Sequence, residues 1–533
     1  MDKVNVEQQL LDPNSYPHEV DKVEHVETHI SHIFLAGAYA YKIKKSLNLG
    51  FLDFSTLQKR KFFCEEEVRL NSRFSGDIYI DVVPIIYSNG QTLILNNKID
   101  KQQDVVEYAV RMHRFDRKME LGALLEQKNS SLWRSEWFDE LASCIAEFHR
   151  NSAVASVGSE YGNANIILSS ALENFIQIKQ QLKDKDIIEN SEQLQQWTKS
   201  KWKDLLNEME LRLRGGFIRE CHGDMHLENM VHWKGKVQIF DGIEFNVNFR
   251  WIDVMSEIAF LIMDLESRGR SGLAWRFLNG YLYLSGDYKG LKLLNFYRAY
   301  RAAVRAKVAA IRYSQLSDVK RKSIALAKVD NYLELASCYT KPIQVSVIML
   351  HGLSGSGKSS LAVRLSELLM AVRISSDVER KRLFGLFHGI SNPPLQGGMY
   401  SEEANKATYE RLLDLTRMIT KDGHSVVIDA TFLKARERYK FYQAFDNKNL
   451  NFIVIDLEVD ADELRSRVQK RTEDEGNVSD ADTSVLEKQL HSTEPITNSE
   501  KVKVLRIDAN TFPDPKEIAS KVHAMINAID KTY

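Results

Sequence analysis

The chain has 533 residues, of which 44% are hydrophobic and 27% are charged, so we expect a globular protein of about two to four domains. Its 72 lysines and arginines nearly balance its 73 aspartates and glutamates, which argues against bulk electrostatic binding to nucleic acid or to a membrane surface. The cysteines are far apart, the N-terminus lacks a signal-peptide core, and no apolar run reaches the ~18 residues of a membrane span. A cytoplasmic protein with reduced thiols and no membrane partner is therefore expected.

The first part of the sequence predicts a small lobe of strands and a helix, after a polar lead-in at residues 1–28. Residues 29–35 and 38–45 are predicted to form a β-hairpin about a short turn. Lys42 lies on its second strand, and the helix that follows carries Glu67 among three consecutive glutamates. Further strands are predicted at 78–86, 92–95 and 105–115.

A loop with charged and amide residues, CHGDMHLENM, interrupts the mostly helical stretch from residue 133 to about 337. Asp224 and Asn229 have the Asp-to-Asn spacing of a protein-kinase catalytic loop, and Asp241 ends the next hairpin. In that chemistry Asp224 accepts the proton of the substrate hydroxyl, and Asn229 and Asp241 hold Mg²⁺. Lys42 would bind the α/β-phosphates of ATP and be steadied by a helix carboxylate, for which we choose Glu67.

Some of these residues have alternative interpretations. His222 and His226 are four apart and could be zinc ligands of a metal-dependent hydrolase, although no third ligand other than acids is near. Lys44 and Lys45 compete with Lys42 for the nucleotide-binding role. The arginines at 298, 301 and 305 share a helix face, which is either solvated or a clamp for an anionic acceptor.

The chain beyond residues 340–342 alternates strands and helices, which predicts a parallel, doubly wound α/β sheet. Its strands are predicted at 345–350, 372–374, 425–428, 452–457 and 503–507. The first strand leads into the full phosphate-binding loop pattern, formed by Gly352, Leu353, Ser354, Gly355, Ser356, Gly357, Lys358, Ser359 and Ser360. Lys358 would reach the β/γ-phosphates, and the Ser359 hydroxyl would ligate Mg²⁺.

Polar residues elsewhere in this half complete a phosphoryl-transfer site. Asp429 ends a buried strand, as the Mg²⁺-holding aspartate of a P-loop protein does. Asp377 follows the second strand and is either a general base for the acceptor or a helix N-cap. Arg467 and Arg471 share a helix face before a polar loop, and as lid residues they would neutralise charge on the transferred phosphoryl group.

Residues 343–510 resemble the small P-loop kinases of the polynucleotide-kinase and zeta-toxin-like group, in the strings GLSGSGKSS, SSDVERKRLFG, VVIDATFLKARER and LRSRVQKRT…SDAD. The resemblance implies that Asp377 serves the acceptor hydroxyl and that Arg467 and Arg471 contact phosphates. It also implies weaker substrate contacts at Arg380 and Arg438. The acceptor varies across the group and is not implied.

The strings HGDMHLENM, IFDGIEFN and WIDVMSEIAFLIMDLE make residues 30–335 similar to aminoglycoside-phosphotransferase-like kinases. FLAGAYAYKIKK and LNLGFLDFSTLQKR are similar to the subgroup that is fused to a C-terminal P-loop kinase. The whole chain thus resembles a bifunctional bacterial family, which implies two ATP-using modules and a supporting carboxylate at Asp253. No G-x-G-x-x-G loop precedes Lys42, a departure from protein kinases that is usual in this group.

We therefore predict an α+β protein-kinase-like domain at 29–339, with a small β lobe and a helical lobe, followed by an α/β P-loop kinase domain at 343–533. The predicted activity is an ATP- and Mg²⁺-dependent transfer of phosphate to a small-molecule hydroxyl in each half. One alternative is a regulatory fusion in which only the P-loop half is catalytic. Another is a nucleic-acid or toxin-like 5′-hydroxyl kinase, against which the balanced charge counts.

Overall fold

The chain forms two compact units, each made from separated stretches of sequence. A computed structural model describes residues 5–50, 52–88, 90–94, 104–127, 134–387, 399, 401–446, 450–472, 483–497, 500 and 502–530, without the side chains of 471, 472 and 528–530. The first unit comprises Met1–Glu140, Glu147–Glu173 and Lys199–Asp264, and the second comprises Leu141–Ala146, Asn174–Thr198 and Leu265–Tyr533. The predicted domain boundaries follow a different division and stay a prediction.

A mixed lobe opens the first unit. Its helices are α1 (Val6–Gln9) and α2 (Leu57–Ser75), and α2 begins where the Thr56 side chain accepts a hydrogen bond from the Lys59 N–H. Its antiparallel sheet has the order β1-β2-β3-β6-β4-β5, with β1 Val23–Glu27, β2 Ser31–Ala36, β3 Tyr39–Lys44, β4 Tyr79–Ser88, β5 Gln91–Ile94 and β6 Val105–His113. The predicted hairpin is confirmed as β2 and β3.

The stretch predicted to be a polar lead-in belongs partly to this lobe. β1 pairs with β2 as an edge strand, and Leu10 and Tyr16 are buried in the core beside Phe34. Only two of the five side chains of β1 are even half-buried. Because an exposed edge strand needs little apolar surface, its sequence resembles a polar linker.

The rest of the first unit is mainly helical, with two small antiparallel strand pairs, β7–β10 and β8–β9. Its elements, some of which continue into the second unit, are α3 Leu121–Glu126, α4 Trp137–Asn151, α5 Ala164–Gln181, α6 Lys185–Arg214, β7 Ile218–Glu220, β8 Met230–Trp233, β9 Lys236–Ile239, α7 Val247–Arg250, β10 Trp251–Asp253 and α8 Val254–Ser267. The polar residues 183–200 lie mostly in α6.

The second unit joins three helices, α9 Ser271–Ser285, α10 Leu291–Gln315 and α11 Val319–Cys338, to a five-stranded parallel sheet. The sheet has the order β12-β13-β11-β14-β15 and confirms the predicted strands. Its elements are β11 Ser346–His351, α12 Lys358–Leu368, β12 Val372–Ser375, α13 Ser376–Leu383, α14 Glu402–Lys421, β13 Val426–Asp429, α15 Ala435–Phe445, β14 Asn451–Glu458, α16 Ala461–Thr472, α17 Thr483–Ser492, β15 Lys503–Asp508 and α18 Pro515–Asp530.

Apolar strands give this sheet its core. Ile348 and Leu350 pack with Leu361 and Leu365 of α12 and with Val522 of α18. Parallel strands covered on both faces are near-continuous apolar runs, which is why they could be predicted. No helix within the described ranges is both long and apolar enough to cross a membrane.

Candidate functional site

The phosphate loop connects β11 to α12 through a strained backbone. Gly352, Gly355 and Gly357 have φ of 145°, 87° and 85°, a region that side chains disfavour. A Cβ at Gly352 would lie 3.1 Å from the Leu457 carbonyl oxygen. Glycine therefore fits here for two reasons, since the backbone needs both a positive φ and a close approach to β14.

Lys358 begins α12 and folds back over the loop. Its Nζ donates to the Leu353 carbonyl oxygen at 2.6 Å and to the Ser356 Oγ at 3.2 Å. The side chain is buried, so the ammonium group is held beside the N-terminus of α12. A cation and a helix N-terminus together attract phosphate oxygens. Ser354 lies within this loop, where its N–H donates to Gln489 Oε1 at 2.9 Å, and Ser360 lies in the first turn of α12.

An oxygen pair beside this lysine suits a divalent cation. The Ser359 Oγ donates to Asp429 Oδ1 at 3.1 Å, and Arg373 Nη2 lies 2.7 Å from Asp429 Oδ2. Asp429 is the last residue of β13 and is buried. Hydroxyl and carboxylate oxygens are the donors that Mg²⁺ prefers, so the residues present fit this ion.

Asp377 lies in the first turn of α13, immediately after β12. Its Oδ1 accepts a hydrogen bond from Arg380 Nη1 at 3.3 Å. The N-cap position belongs to Ser375, and no side-chain capping hydrogen bond occurs there. The predicted capping role of Asp377 is therefore wrong, and its role as a base stays a prediction.

The other predicted arginines of this half have protein partners. Arg467 donates to Glu463 Oε1 at 2.6 Å and to the Asn510 carbonyl oxygen at 2.5 Å, and the side chain of Arg471 lies outside the described residues. Arg438 is buried and donates to Glu500 and to the Phe432 carbonyl oxygen. Burial of Arg438 favours a structural role over the predicted substrate contact.

In the first unit, hydrogen bonds between side chains and backbone hold the predicted catalytic loop. Asn229 Nδ2 donates to the Asp224 carbonyl oxygen at 3.0 Å and to its Oδ2 at 3.1 Å. Gly223 has φ of 89°, its N–H donates to Glu257 Oε1 at 2.7 Å, and a Cβ there would lie 2.6 Å from the Phe249 carbonyl oxygen. The predicted pair Asp224 and Asn229 is thus brought together on this turn.

A buried charge network lies on β3 and α2. Lys42 Nζ donates to Glu67 Oε1 at 2.8 Å and to Asp241 Oδ1 at 2.5 Å. Lys44 Nζ donates to the second Glu67 oxygen at 2.7 Å and also pairs with Glu244. Glu67, chosen from the sequence among three consecutive helix glutamates, is therefore the carboxylate that holds Lys42.

The pKa values of this network follow from burial and pairing. Burial acts to lower the pKa of Lys42, but the carboxylates of Asp241 and Glu67 raise it well above its ordinary value. Burial acts to raise the pKa of Glu67, but Lys42 and Lys44 lower it to about 2. Burial raises the pKa of Glu244. Lys42 and Glu67 are therefore both charged at neutral pH.

Asp241 adopts φ of 63°, which is unusual for a residue other than glycine. Its N–H donates to the Tyr79 Oη at 3.1 Å, which helps to fix this turn. Such strained residues cluster at functional sites. Asn229 and Asp241 offer amide and carboxylate oxygens that suit Mg²⁺, and their shared metal role stays a prediction because the contacts above join Asn229 to Asp224 and Asp241 to Lys42.

The zinc alternative has no geometric support. His222 Nε2 donates to the Phe240 carbonyl oxygen at 2.9 Å, while His226 Nε2 lies 3.3 Å from Asp224 Oδ2. Within the described residues, the histidine, cysteine and acidic side chains close enough to share a metal are His149, Cys221 and Glu257. Burial raises the pKa of the Cys221 thiol well above its ordinary value, which disfavours the thiolate that a metal needs.

Some residues of this site were missed or left open by sequence reasoning. Glu244, Glu257 and Tyr79 carry no local pattern that marks them. Asp253 forms a buried two-bond pair with Arg212, at 2.7 Å for each bond, in keeping with a supporting carboxylate. The arginine stripe is not a solvated face, because Arg298 is buried against Glu266 and Tyr339.

A family model described as an AAA domain matches residues 347–496. An uncharacterized protein of Mycobacterium tuberculosis and one of Mycobacterium bovis are each 30% identical over 416 residues, which cover 76% of this chain and 78% of theirs. The chain belongs to the same family as these mycobacterial proteins. Because 416 aligned residues exceed the length of either predicted domain, the relationship extends across both halves.

Two solved structures are among the similar folds. A gluconokinase from Sinorhizobium meliloti 1021 is 20% identical, covers 36% of this chain and 97% of its own, and has a TM-score of 0.25. A choline kinase from Cryptosporidium parvum Iowa II is 11% identical, covers 61% of this chain and 93% of its own, and has a TM-score of 0.39. The strand orders of the chain itself confirm the predicted fold class, a kinase-like N-terminal fold fused to a C-terminal P-loop domain.

Proposed function

We propose that the protein is an ATP- and Mg²⁺-dependent phosphotransferase with two modules, each of which transfers the γ-phosphate to a hydroxyl of a small molecule. The observation that carries the proposal is the Ser359–Asp429 oxygen pair, 3.1 Å apart, next to Lys358 in a complete phosphate loop. A cation site and a phosphate cradle in this arrangement are what phosphoryl transfer requires.

In the P-loop module, the loop N–H groups and Lys358 bind the β/γ-phosphates. Ser359 and Asp429 would hold Mg²⁺, which supplies charge neutralisation on the phosphates when bound. Asp377, at the carboxyl end of the neighbouring strand β12, accepts the proton of the acceptor hydroxyl. Arg467 and Arg471 lie on α16 and stabilise charge on the transferred group when the substrates are bound.

In the kinase-like module, Lys42 binds the α/β-phosphates while Glu67 holds its ammonium group in place. Asp224 accepts the proton of the acceptor hydroxyl. Asn229 orients Asp224 through the 3.1 Å hydrogen bond and, with Asp241, would hold Mg²⁺. Lys42 then exchanges its contact with Asp241 for a contact with phosphate oxygens.

The two activities can be separated with single substitutions. Full-length protein is incubated with γ-labelled ATP and a metabolite extract, and labelled products are resolved. We expect Lys358→Ala and Asp224→Ala each to abolish a different labelled product, because each removes one module's chemistry. Lys421→Ala, which replaces another lysine of the P-loop domain, is the matched control and leaves both products. Loss of neither product in either variant contradicts the proposal.

A second candidate is a regulatory fusion in which the kinase-like half binds nucleotide without transfer. The turn between β1 and β2 contains no glycine, and Thr28 closes it through hydrogen bonds with Ser31. In protein kinases a glycine-rich loop covers the phosphates. If Asp224→Ala leaves every product unchanged while nucleotide still binds in that half, the regulatory function is supported instead.

A further inference from the structure

The carboxylate that would hold Mg²⁺ in the P-loop module already has a cation beside it. Asp429 has only 3% of its side chain exposed, and its two oxygens have different partners. Oδ1 accepts from Ser359 Oγ at 3.1 Å, and Oδ2 faces Arg373 Nη2 at 2.7 Å. Arg373 therefore offsets the charge of the carboxylate on which the metal would depend.

The surrounding chain fixes Arg373 in this position. Its backbone N–H donates to Asn279 Oδ1 at 2.7 Å, and Asn279 Nδ2 donates to the Ala371 carbonyl oxygen at 3.0 Å. These two bonds tie the edge of β12 to α9. Only 19% of the Arg373 side chain is exposed, so this pair differs from a mobile surface ion pair, which contributes little.

The charges near the loop make the consequence clear. Arg373 offsets the negative charge of Asp429, and Lys358 adds a positive charge at the start of α12. A free divalent cation that approaches Ser359 and Asp429 therefore gains less attraction from the carboxylate than it would without Arg373. A bound triphosphate adds several negative charges at the same place and restores the attraction for the cation.

We infer that Arg373 makes this site take a divalent cation only together with a nucleotide, so that the module binds a metal–nucleotide complex and excludes the free ion. The inference rests on the proposed function in one respect, namely that Ser359 and Asp429 are the metal position. Arg373 lies on β12, outside the phosphate loop, and selects the metal–nucleotide complex over the free metal ion.

The test measures free metal without nucleotide. Mn²⁺ binding to full-length protein is followed by electron paramagnetic resonance, in an Asp241→Asn background that removes the other predicted metal position. Arg373→Met is expected to tighten the free Mn²⁺ affinity by at least about tenfold. The repulsion between the guanidinium and an ion bound to the same carboxylate, at a partly buried site, exceeds the free energy of a tenfold change in affinity. Arg373→Lys keeps the charge and is expected to stay as weak as the parent.

Two controls make the result specific. Arg364→Met removes an exposed arginine of α12 that pairs with Glu367, and it should not change Mn²⁺ affinity. The double variant Arg373→Met/Asp429→Asn should lose the newly tight site. Unchanged or weaker Mn²⁺ binding in a folded Arg373→Met protein overturns the inference, and Arg373→Gln serves if the methionine variant does not fold.

The proposed function fails by a separate result. If the parent protein binds neither ATP nor Mn²⁺–ATP at the loop, and Lys358→Ala changes no binding, then the nucleotide assignment is wrong. The free-metal measurement does not use nucleotide, so it decides the role of Arg373 in either case.

Discussion

At the scale of single residues, two lysines of β3 share one carboxylate but occupy different surroundings. Lys42 contacts Glu67 and Asp241, whose side chain is 47% exposed, whereas Lys44 is fully buried between Glu67 and Glu244. Lys42 therefore lies next to a side chain that solvent reaches, whereas both partners of Lys44 are buried. A buried, fully paired cation is costly to remove, because its partners are left as uncompensated buried charges.

Substitution should separate these two lysines. In a Lys358→Ala background, Lys42→Met is expected to weaken ATP binding by about tenfold or more, the value of one charge-assisted contact to phosphate. Lys44→Met is expected to lower the free energy of unfolding by about 3 kcal/mol, because Glu67 and Glu244 lose a buried partner. Calorimetric titration and chemical denaturation measure the two effects.

A double variant provides the control for this comparison. Lys44→Met/Glu244→Gln removes a charge of each sign and should regain part of the stability lost in Lys44→Met. The assignment of the nucleotide lysine is contradicted if Lys44→Met weakens ATP binding in a stable protein while Lys42→Met does not.

The choice between these lysines shows where sequence reasoning stops at this scale. Residues two apart on a strand share a face, so local pattern leaves Lys42 and Lys44 equivalent. Asp241 distinguishes them, and it lies 199 residues away in the chain. In contrast, Lys358 and Ser359 could be assigned from a local motif, because the residues that define a phosphate loop are contiguous in the sequence.

At the scale of elements, buried strands could be predicted from the sequence and exposed strands could not. The five parallel strands were predicted because both faces of such a sheet are apolar. β1 was missed because an edge strand exposes most of its side chains. Leu368 continues the helical apolar spacing of Leu361 and Leu365 but is 36% exposed, since α12 ends at that residue.

The segment between α14 and β13 predicts a pH-dependent stability. His424 is buried and its Nε2 lies 3.1 Å from the Leu291 carbonyl oxygen of α10. Burial lowers the pKa of His424 from 6.5 to about 4, so the folded state disfavours the proton that the unfolded chain binds. Stability of the second unit should therefore be full above pH 6.5 and fall between pH 6.5 and 4, by on the order of 3 kcal/mol.

Chemical denaturation of the wild-type protein and of His424→Gln at several pH values measures this effect. Glutamine keeps a hydrogen-bond donor without a titrating group, so the difference in unfolding free energy between the two proteins should change across that pH window. An equal pH dependence in both proteins contradicts the assignment.

At the scale of the whole molecule, the helices α9 to α11 lie in the same compact unit as the parallel sheet. Within the second unit, Arg276 pairs with Glu367 at 3.1 Å, and Asn279 completes the edge of β12. Arg382 reaches back to the carbonyl oxygen of Leu282 at 3.1 Å. The sequence boundary at residues 340–342 was drawn from a proline and the end of a helix, which report local chain breaks and carry no information on tertiary contacts.

A fragment of residues 343–533 should therefore be less stable than the same sequence in the full chain. It loses these hydrogen bonds, each worth about 1 kcal/mol, and exposes the buried side chains of Arg382 and His424. With ATP present in both samples, we expect the fragment to unfold at a lower temperature than the unfolding step of the full chain that ATP stabilises.

A fragment of residues 265–533 regains these contacts and should recover part of the loss. If the shorter fragment unfolds at the full-chain temperature and binds ATP equally well, the P-loop domain is independent and the boundary at residue 343 is correct.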